Sequence, residues 1–224
     1  MTYKINGKIK NITDYYLANV VLGFSAYNNK FDKIGVLTCI DTRQFLKKSS
    51  LNYTNNFSHI RVRIPSIPVN NTVGELMKLM RNDFNERVKR GEMFSALKAM
   101  KENYFKQSDT EKKDIGCVCD LSLIGTFDLG NKFKDAWVDY HINAEEIKNS
   151  VGFLSFSVIK NGVNTIYGKF RTATTYFSEK DAKIVGSLII HGMKTIHPQM
   201  KISDALSMLK DYQNYLSNSL YLRL

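Results

Sequence analysis

The spacing of apolar residues predicts alternating helices and strands in the first half of the chain. Apolar residues recur at helical spacing from Asn11 to Tyr27, where Asn11 can cap the helix and Asp14 lies in its first turn. The run IGVLTCI that follows is apolar on both faces, as in an interior strand. The next run, SHIRVRIP, alternates and ends at a proline, which predicts a strand with a polar face that carries His59.

Two further helices are expected before the middle of the chain. Thr72 and Glu75 have the spacing of a capping box, and apolar residues then recur at helical spacing as far as Val88. Gly91 separates this helix from another one, expected near residues 93–105. The polar stretch KQSDTEKKD that follows is the clearest loop in the sequence.

Strand patterns dominate the second half. IGCVCDLSLIG and AWVDYHIN are candidate strands, and the next long apolar segment is typical of a hairpin because it contains Asn161-Gly162, which suits a type I′ turn. Ser178 and Asp181 then have the spacing of a helix cap, and a last amphipathic helix, SDALSMLKDYQNYLSNSL, completes the pattern.

Together these elements predict an α+β fold in which helices pack on a mixed, largely antiparallel sheet. A dinucleotide-binding fold is not indicated, because no strand leads through a glycine-rich turn into a helix. The 224 residues contain no repeat and no low-complexity linker, so we expect a single domain over residues 1–224. No apolar run is long enough to span a membrane, and we expect a cytoplasmic protein.

Residues that carry chemistry are sparse and match no catalytic motif. Cys117 and Cys119 form a C-x-C pair without a further cysteine or histidine near them in sequence, so we expect no metal site. A nucleophile, histidine and carboxylate set cannot be chosen from the sequence alone. The four histidines lie in unrelated contexts: His59, His141, His191 and His197.

The net charge of +11 favours an anionic partner, such as nucleic acid, an anionic membrane surface or a phosphate-bearing cofactor. Lysine and arginine are spread along the whole chain, however, so a solvated basic surface explains the charge equally well. No RNA-binding motif is present, and nucleic acid is the less favoured partner.

Several short motifs follow one another in an informative order. A helix opening with ITD leads to a strand that ends in the D-x-R motif of Asp41 and Arg43, and Asn55 or Asn56, before the strand SHIRVRIP, matches a later asparagine of the motif order. The later strand LSLIGTFDL carries Ser122. This order resembles the second half of the CoA-dependent acyltransferase superfamily, which includes condensation domains of nonribosomal peptide synthetases, alcohol acetyltransferases and wax-ester synthase-like enzymes. The sequence departs from the family at Leu123, where the family has asparagine.

The resemblance implies that residues 1–224 form a chloramphenicol-acetyltransferase-like lobe, the C-terminal one of a condensation-type enzyme. It implies that Arg43, with Asp41, is a structural organiser, since in the family this arginine pairs with the aspartate of an H-H-x-x-x-D-G motif. It implies that Asn55 and Ser122 line the substrate channel. From the residues alone, Asp41 and Arg43 are as well explained as caps of the strand end.

The motif H-H-x-x-x-D-G does not occur in this chain. The resemblance therefore implies no catalytic residue here, and a general base on an N-terminal lobe in another chain. A homodimer is the other possible partner. The resemblance also implies a CoA or phosphopantetheine thioester as co-substrate and an acyl carrier protein as a partner. The alternative is a non-catalytic binding module, either a protein scaffold or a nucleic-acid binder that uses its basic surface.

Overall fold

The computed structural model describes residues 2–4, 12–32, 34–45, 57–64, 66–95, 98, 119–130, 133, 136, 151–172 and 177–221. These residues form strands and four long helices. The strands are β1 (Thr2–Lys4), β2 (Ile34–Asp41), β3 (Phe57–Ile64), β4 (Asp120–Asp128), β5 (Val151–Lys160) and β6 (Val163–Thr172). The helices are α1 (Ile12–Asn28), α2 (Val73–Lys89), α3 (Glu179–Thr195) and α4 (Ile202–Tyr221). Apart from Ala136, the expected strand AWVDYHIN lies outside the described residues, as do Asn11 and most of the helix expected near residues 93–105.

The described strands form one mixed sheet in the order β1-β6-β5-β4-β2-β3. Strand β4 is parallel to β2 and to β5, and the remaining neighbouring pairs are antiparallel. The predicted α+β class with a largely antiparallel sheet is therefore confirmed. As the patterns predict, β2 is an interior strand, whereas the alternating β3 lies at an edge.

The local signals for turns and caps are confirmed. Asn161 and Gly162 form a two-residue turn between β5 and β6, and both have positive φ angles (51° and 72°), as a type I′ turn requires. The Thr72 side chain accepts a hydrogen bond from the backbone of Glu75, whose carboxylate accepts one from the Thr72 backbone. Ser178 caps α3 in the same way as Thr72 caps α2, through the backbone N–H of Asp181.

The helices cover one face of the sheet, with α1 at the centre of the helix layer. Helix α1 packs against α2, α3 and α4 and against β2, whereas α2 lies on β3 and α3 on β6. The sequence pattern indicates one apolar face for α1, but the helix is buried on nearly all sides, with Leu17, Val21 and Leu22 at 2% exposure or less. A single apolar face underestimates the burial of α1, because other helices and the sheet surround it.

Glycines permit the close approach of α1 and α3. A Cβ atom added at Gly23 of α1 would lie 2.7 Å from Cγ1 of Ile189 in α3, and one added at Gly192 of α3 would lie 2.4 Å from Oδ1 of Asn19 in α1. Asn19 is fully buried, and its Nδ2 donates a hydrogen bond to the Tyr15 carbonyl at 2.8 Å. Neither contact leaves room for a methyl group.

No helix within the described residues combines the length and the apolar character that crossing a membrane requires.

We expect Gly192→Ala to lower the free energy of unfolding by up to about 2 kcal/mol. Alanine favours a helix over glycine by about 1 kcal/mol, but forcing a methyl group into a packed interface costs about 1–3 kcal/mol. Urea denaturation of the variant would measure the balance, with Ser207→Ala on the exposed side of α4 as the control. An unchanged or increased stability in Gly192→Ala would show that the α1–α3 contact is looser than described.

Candidate functional site

Polar side chains gather on the face of the sheet opposite the helices, where β3, β2 and β4 lie side by side. Val36 and Ile40 of β2 are buried under the helices, so the alternation of the strand places Cys39 on the opposite face. Cys39 pairs with His59 across the antiparallel β2–β3 ladder. We call this side of the sheet the second face, defined by these residues: Leu37, Cys39 and Asp41 of β2, His59 of β3, and Asp120 and Ser122 of β4.

Four of these side chains form a compact group, which we call the polar cluster: Cys39, His59, Asp120 and Ser122. One sulfur, nitrogen or oxygen atom from each of Cys39, His59 and Asp120 lies within 4.8 Å of the corresponding atoms of the other two. The Cys39 Sγ and Ser122 Oγ atoms are 3.1 Å apart and share a hydrogen bond. The first three side chains are partly buried, so the cluster is close to the surface without being fully solvated.

Burial dominates the electrostatics of the cluster. It raises the pKa of the Asp120 carboxyl, and the nearby His59 opposes this change. Burial also raises the pKa of the Cys39 thiol; the Ser122 hydrogen bond opposes the change, and the Asp120 charge adds to it. A reactive cysteine needs a lowered pKa, so Cys39 does not have the properties of an activated nucleophile.

Asp41 and Arg43 lie where β2 leaves the sheet, and they bind each other. The Arg43 Nε atom donates to both Asp41 carboxylate oxygens, at 2.9 and 3.0 Å, and a second guanidinium nitrogen lies 2.8 Å from Oδ2. The Arg43 backbone N–H also donates to Asp41 Oδ1 at 2.9 Å, which begins the short 3-10 helix Arg43–Phe45. Both side chains are 51% exposed. The hydrogen bonds from Arg43 hold the pKa of Asp41 below its ordinary value, so the pair is ionised at neutral pH.

An ion pair between a buried aspartate and a partly exposed arginine joins the first turn of α1 to α2. Asp14 is 5% exposed, and its Oδ1 lies 2.6 Å from a guanidinium nitrogen of Arg81. Arg81 also lies over the ring of Phe84, with its guanidinium carbon 5.4 Å from the ring centre. The acidic residue of the ITD motif therefore holds two helices together instead of facing the polar cluster.

No protein-family model matches the sequence, and no curated protein matches it. Solved structures do match. The starter condensation domain of the rhizomide synthetase RzmA has a TM-score of 0.61 at 7% identity, over 91% of this chain and 46% of that chain. The complex of the X-domain and OxyB from teicoplanin biosynthesis contains a chain with a TM-score of 0.56 at 12% identity, over 92% and 47%. The epimerization domain of the third module of tyrocidine synthetase B has a TM-score of 0.51 at 10% identity, over 88% and 42%.

The chain has a condensation-domain-like fold. Identities of 7–12% demonstrate a common fold and nothing about activity. The likeness to condensation domains that the sequence motifs predict is confirmed for the fold. The chain spans a little under half of the length of each of these proteins, which agrees with a single lobe of the fold.

The condensation-domain-like fold brings together some of the predicted site residues. Ser122 and Asp41 lie on the same face of the sheet. Cys39 of β2 lies beside Ser122 and two residues before Asp41. Asn55 lies outside the described residues. The roles of Asp41 and Arg43 as organisers and of Ser122 in a substrate channel stay predictions.

Sequence reasoning missed the convergence of Cys39, His59 and Asp120. The position of His59 on the polar face of an alternating strand was a usable signal. The sequence does not indicate how β4 pairs with β2, because this pairing joins residues about 80 positions apart, Leu37 and Asp120.

Replacing Arg81 by methionine should lower the free energy of unfolding by about 1–3 kcal/mol, because it leaves the Asp14 carboxylate buried without its cation. The expected loss of stability is moderate because the Arg81 side chain is 37% exposed. Chemical denaturation of Arg81→Met, Asp14→Asn and the double variant would test this. If the double variant loses the full sum of the two single losses, the two residues do not interact.

Proposed function

We propose that this chain is the C-terminal lobe of an acyltransferase that moves an acyl group from a thioester to a hydroxyl or an amine. The observation that carries the proposal is the coverage: 91% of this chain corresponds to 46% of a condensation domain. The D-x-R motif of Asp41 and Arg43 at the end of β2, and Ser122 on the same face, agree with the lobe that the sequence motifs indicate.

The chemistry requires a second lobe, because H-H-x-x-x-D-G is missing from the 224 residues. In the proposed reaction, a histidine of the partner lobe takes the proton of the acceptor hydroxyl or amine. The acceptor then attacks the thioester carbonyl carbon, a carbon–oxygen or carbon–nitrogen bond forms, and the carbon–sulfur bond breaks. The protonated histidine gives the proton to the departing thiolate, which leaves as a thiol. The partner that supplies this histidine is an N-terminal lobe in another chain, because a second copy of this chain would also lack H-H-x-x-x-D-G.

Arg43 would act by positioning the partner lobe. Its guanidinium is held by Asp41 in the single chain, and both side chains are half exposed. An exposed pair of this kind contributes little to stability, so an aspartate of the partner lobe can take over the guanidinium at low cost. The bidentate geometry that Arg43 forms with Asp41 is one that lysine cannot reproduce.

The thioester donor would be CoA or the phosphopantetheine arm of an acyl carrier protein. Both carry phosphate, and the net charge of +11 favours their approach. Ser122 and Asn55 would line the channel in which the thioester meets the acceptor. The cytoplasmic location expected from the sequence stays a prediction.

A second candidate function is a binding module without catalysis. One protein that shares this fold, the X-domain of teicoplanin biosynthesis, occurs in a complex with another protein, OxyB. The missing general base suits such a role. A module of this kind would act as a protein scaffold, and a nucleic-acid binder would use the basic surface instead.

The first test of the proposed function is a pull-down from the source organism with the chain as bait, followed by mass spectrometry. We expect a partner of similar size that carries H-H-x-x-x-D-G, and acyl transfer from a CoA thioester by the reconstituted pair. Recovery of an unrelated protein would support the scaffold instead. Recovery of nucleic acid whose binding falls steeply with salt would support the basic-surface function.

In the reconstituted pair, Arg43→Ala and Arg43→Lys should each lower kcat by about 10- to 100-fold, since misplacing a catalytic group by 1 Å has effects of this size. The KM for the thioester should change little. The melting temperature of the single chain should also change little, because the Asp41–Arg43 pair is exposed. Arg61→Ala, at another exposed position of the second face, is the matched control. Full activity in both Arg43 variants would refute the organiser role.

A further inference from the structure

Three adjacent strands each contribute one metal-binding side chain to the polar cluster. We propose that Cys39, His59 and Asp120 bind one transition-metal ion, with Zn²⁺ the best match, and that the fourth coordination position opens to the second face. The thiolate, imidazole and carboxylate groups are all established zinc ligands, and three protein ligands with an open position form a common zinc geometry. This proposal does not rest on the proposed acyl transfer, and it departs from the absence of metal that the sequence suggests.

The donor atoms select the class of metal. Thiolate and imidazole ligands favour zinc and similar transition metals, whereas Mg²⁺ and Ca²⁺ prefer sites built from oxygen atoms. A site with a Cys39 thiolate, an Asp120 carboxylate and a neutral His59 has a charge of −2, which a divalent cation neutralises. Binding requires loss of the Cys39 proton, which passes to solvent.

The distances place the three side chains close to coordination. Their donor atoms lie within 4.8 Å of one another, and two ligands of a tetrahedral zinc ion are about 3.6 Å apart. Side-chain rotation supplies a movement of this size, because the backbones of neighbouring strands are already at sheet spacing through the β2–β3 and β2–β4 pairings.

Two neighbouring features complete the site. Ser122 Oγ lies 3.1 Å from Cys39 Sγ and can donate a hydrogen bond to the thiolate, which is the usual way in which a metal ligand is oriented. Asp120 Oδ1 is buried and has no hydrogen-bond partner among the described residues. A bound cation would satisfy this oxygen.

The site also lies at the shortest junction of the described sheet. The parallel pairing of β2 with β4 comprises only two residue pairs, Leu37 with Asp120 and Thr38 with Leu121. Because Cys39 and Asp120 lie on opposite sides of this junction, a shared ion would fasten the two strands together. Metal binding should therefore raise the melting temperature of the chain.

The test is a titration of the metal-free, reduced chain with Co²⁺, followed by competition with Zn²⁺. We expect one equivalent of Co²⁺, a thiolate-to-cobalt charge-transfer band, and displacement by Zn²⁺. Cys39→Ser should abolish the band, and His59→Gln and Asp120→Asn should each weaken Zn²⁺ binding by at least about tenfold. His197→Gln and Asp211→Asn, which change exposed residues outside the cluster, are the matched controls.

A second test uses the unmodified chain, so its result does not depend on whether the variants fold. Zn²⁺ should protect Cys39 from iodoacetamide, as peptide mapping would show, and should raise the melting temperature by several degrees. The proposal is overturned if no charge-transfer band appears, if the band survives in Cys39→Ser, or if the control variants lose affinity as strongly as the cluster variants. The last result would identify adventitious binding.

Discussion

The burial of α1 is the constraint on which the rest of the fold depends. This helix contacts the sheet through β2 and the other three long helices through its remaining sides. Glycines on both sides of its contact with α3 allow the two helix backbones to approach closely. Polar groups fix its position as well: Asp14 pairs with Arg81 of α2, and the Tyr16 hydroxyl is hydrogen-bonded to Ser155 of β5 at 2.6 Å. A helix tied in this way on several sides determines where the sheet and the remaining helices lie.

Because the helices occupy only one face of the sheet, the alternation of its strands directs a second set of side chains away from them. On β3, β2 and β4 these side chains include Asp41 and the polar cluster, whereas the adjoining β5 and β6 place an aromatic pair there, Phe156 and Tyr167, with stacked rings 4.9 Å apart. The second face thus carries the polar cluster on β3, β2 and β4 beside an aromatic pair on β5 and β6.

The sequence predicts those parts of the fold that local physics determines. The Thr72 capping box, the Asn161-Gly162 turn and the alternation of β3 each depend on residues a few positions apart, and the structure confirms each of them. Burial of α1 on all sides depends instead on elements distant in sequence. The polar cluster was missed for the same reason, since Cys39 and Asp120 meet through the pairing of β2 with β4, which no local pattern encodes.

The same pairing connects the two proposals physically. Asp41 and Arg43 lie at the end of β2, and Ser122 lies on β4, so the geometry of any site formed by these residues depends on how firmly β2 is held against β4. Backbone pairing there is short, and parallel pairing is slightly less stable per residue than antiparallel pairing. An ion held by Cys39 and Asp120 would fix the relation of the two strands close to Ser122. It would therefore act on the proposed site by positioning its residues, without taking part in bond making.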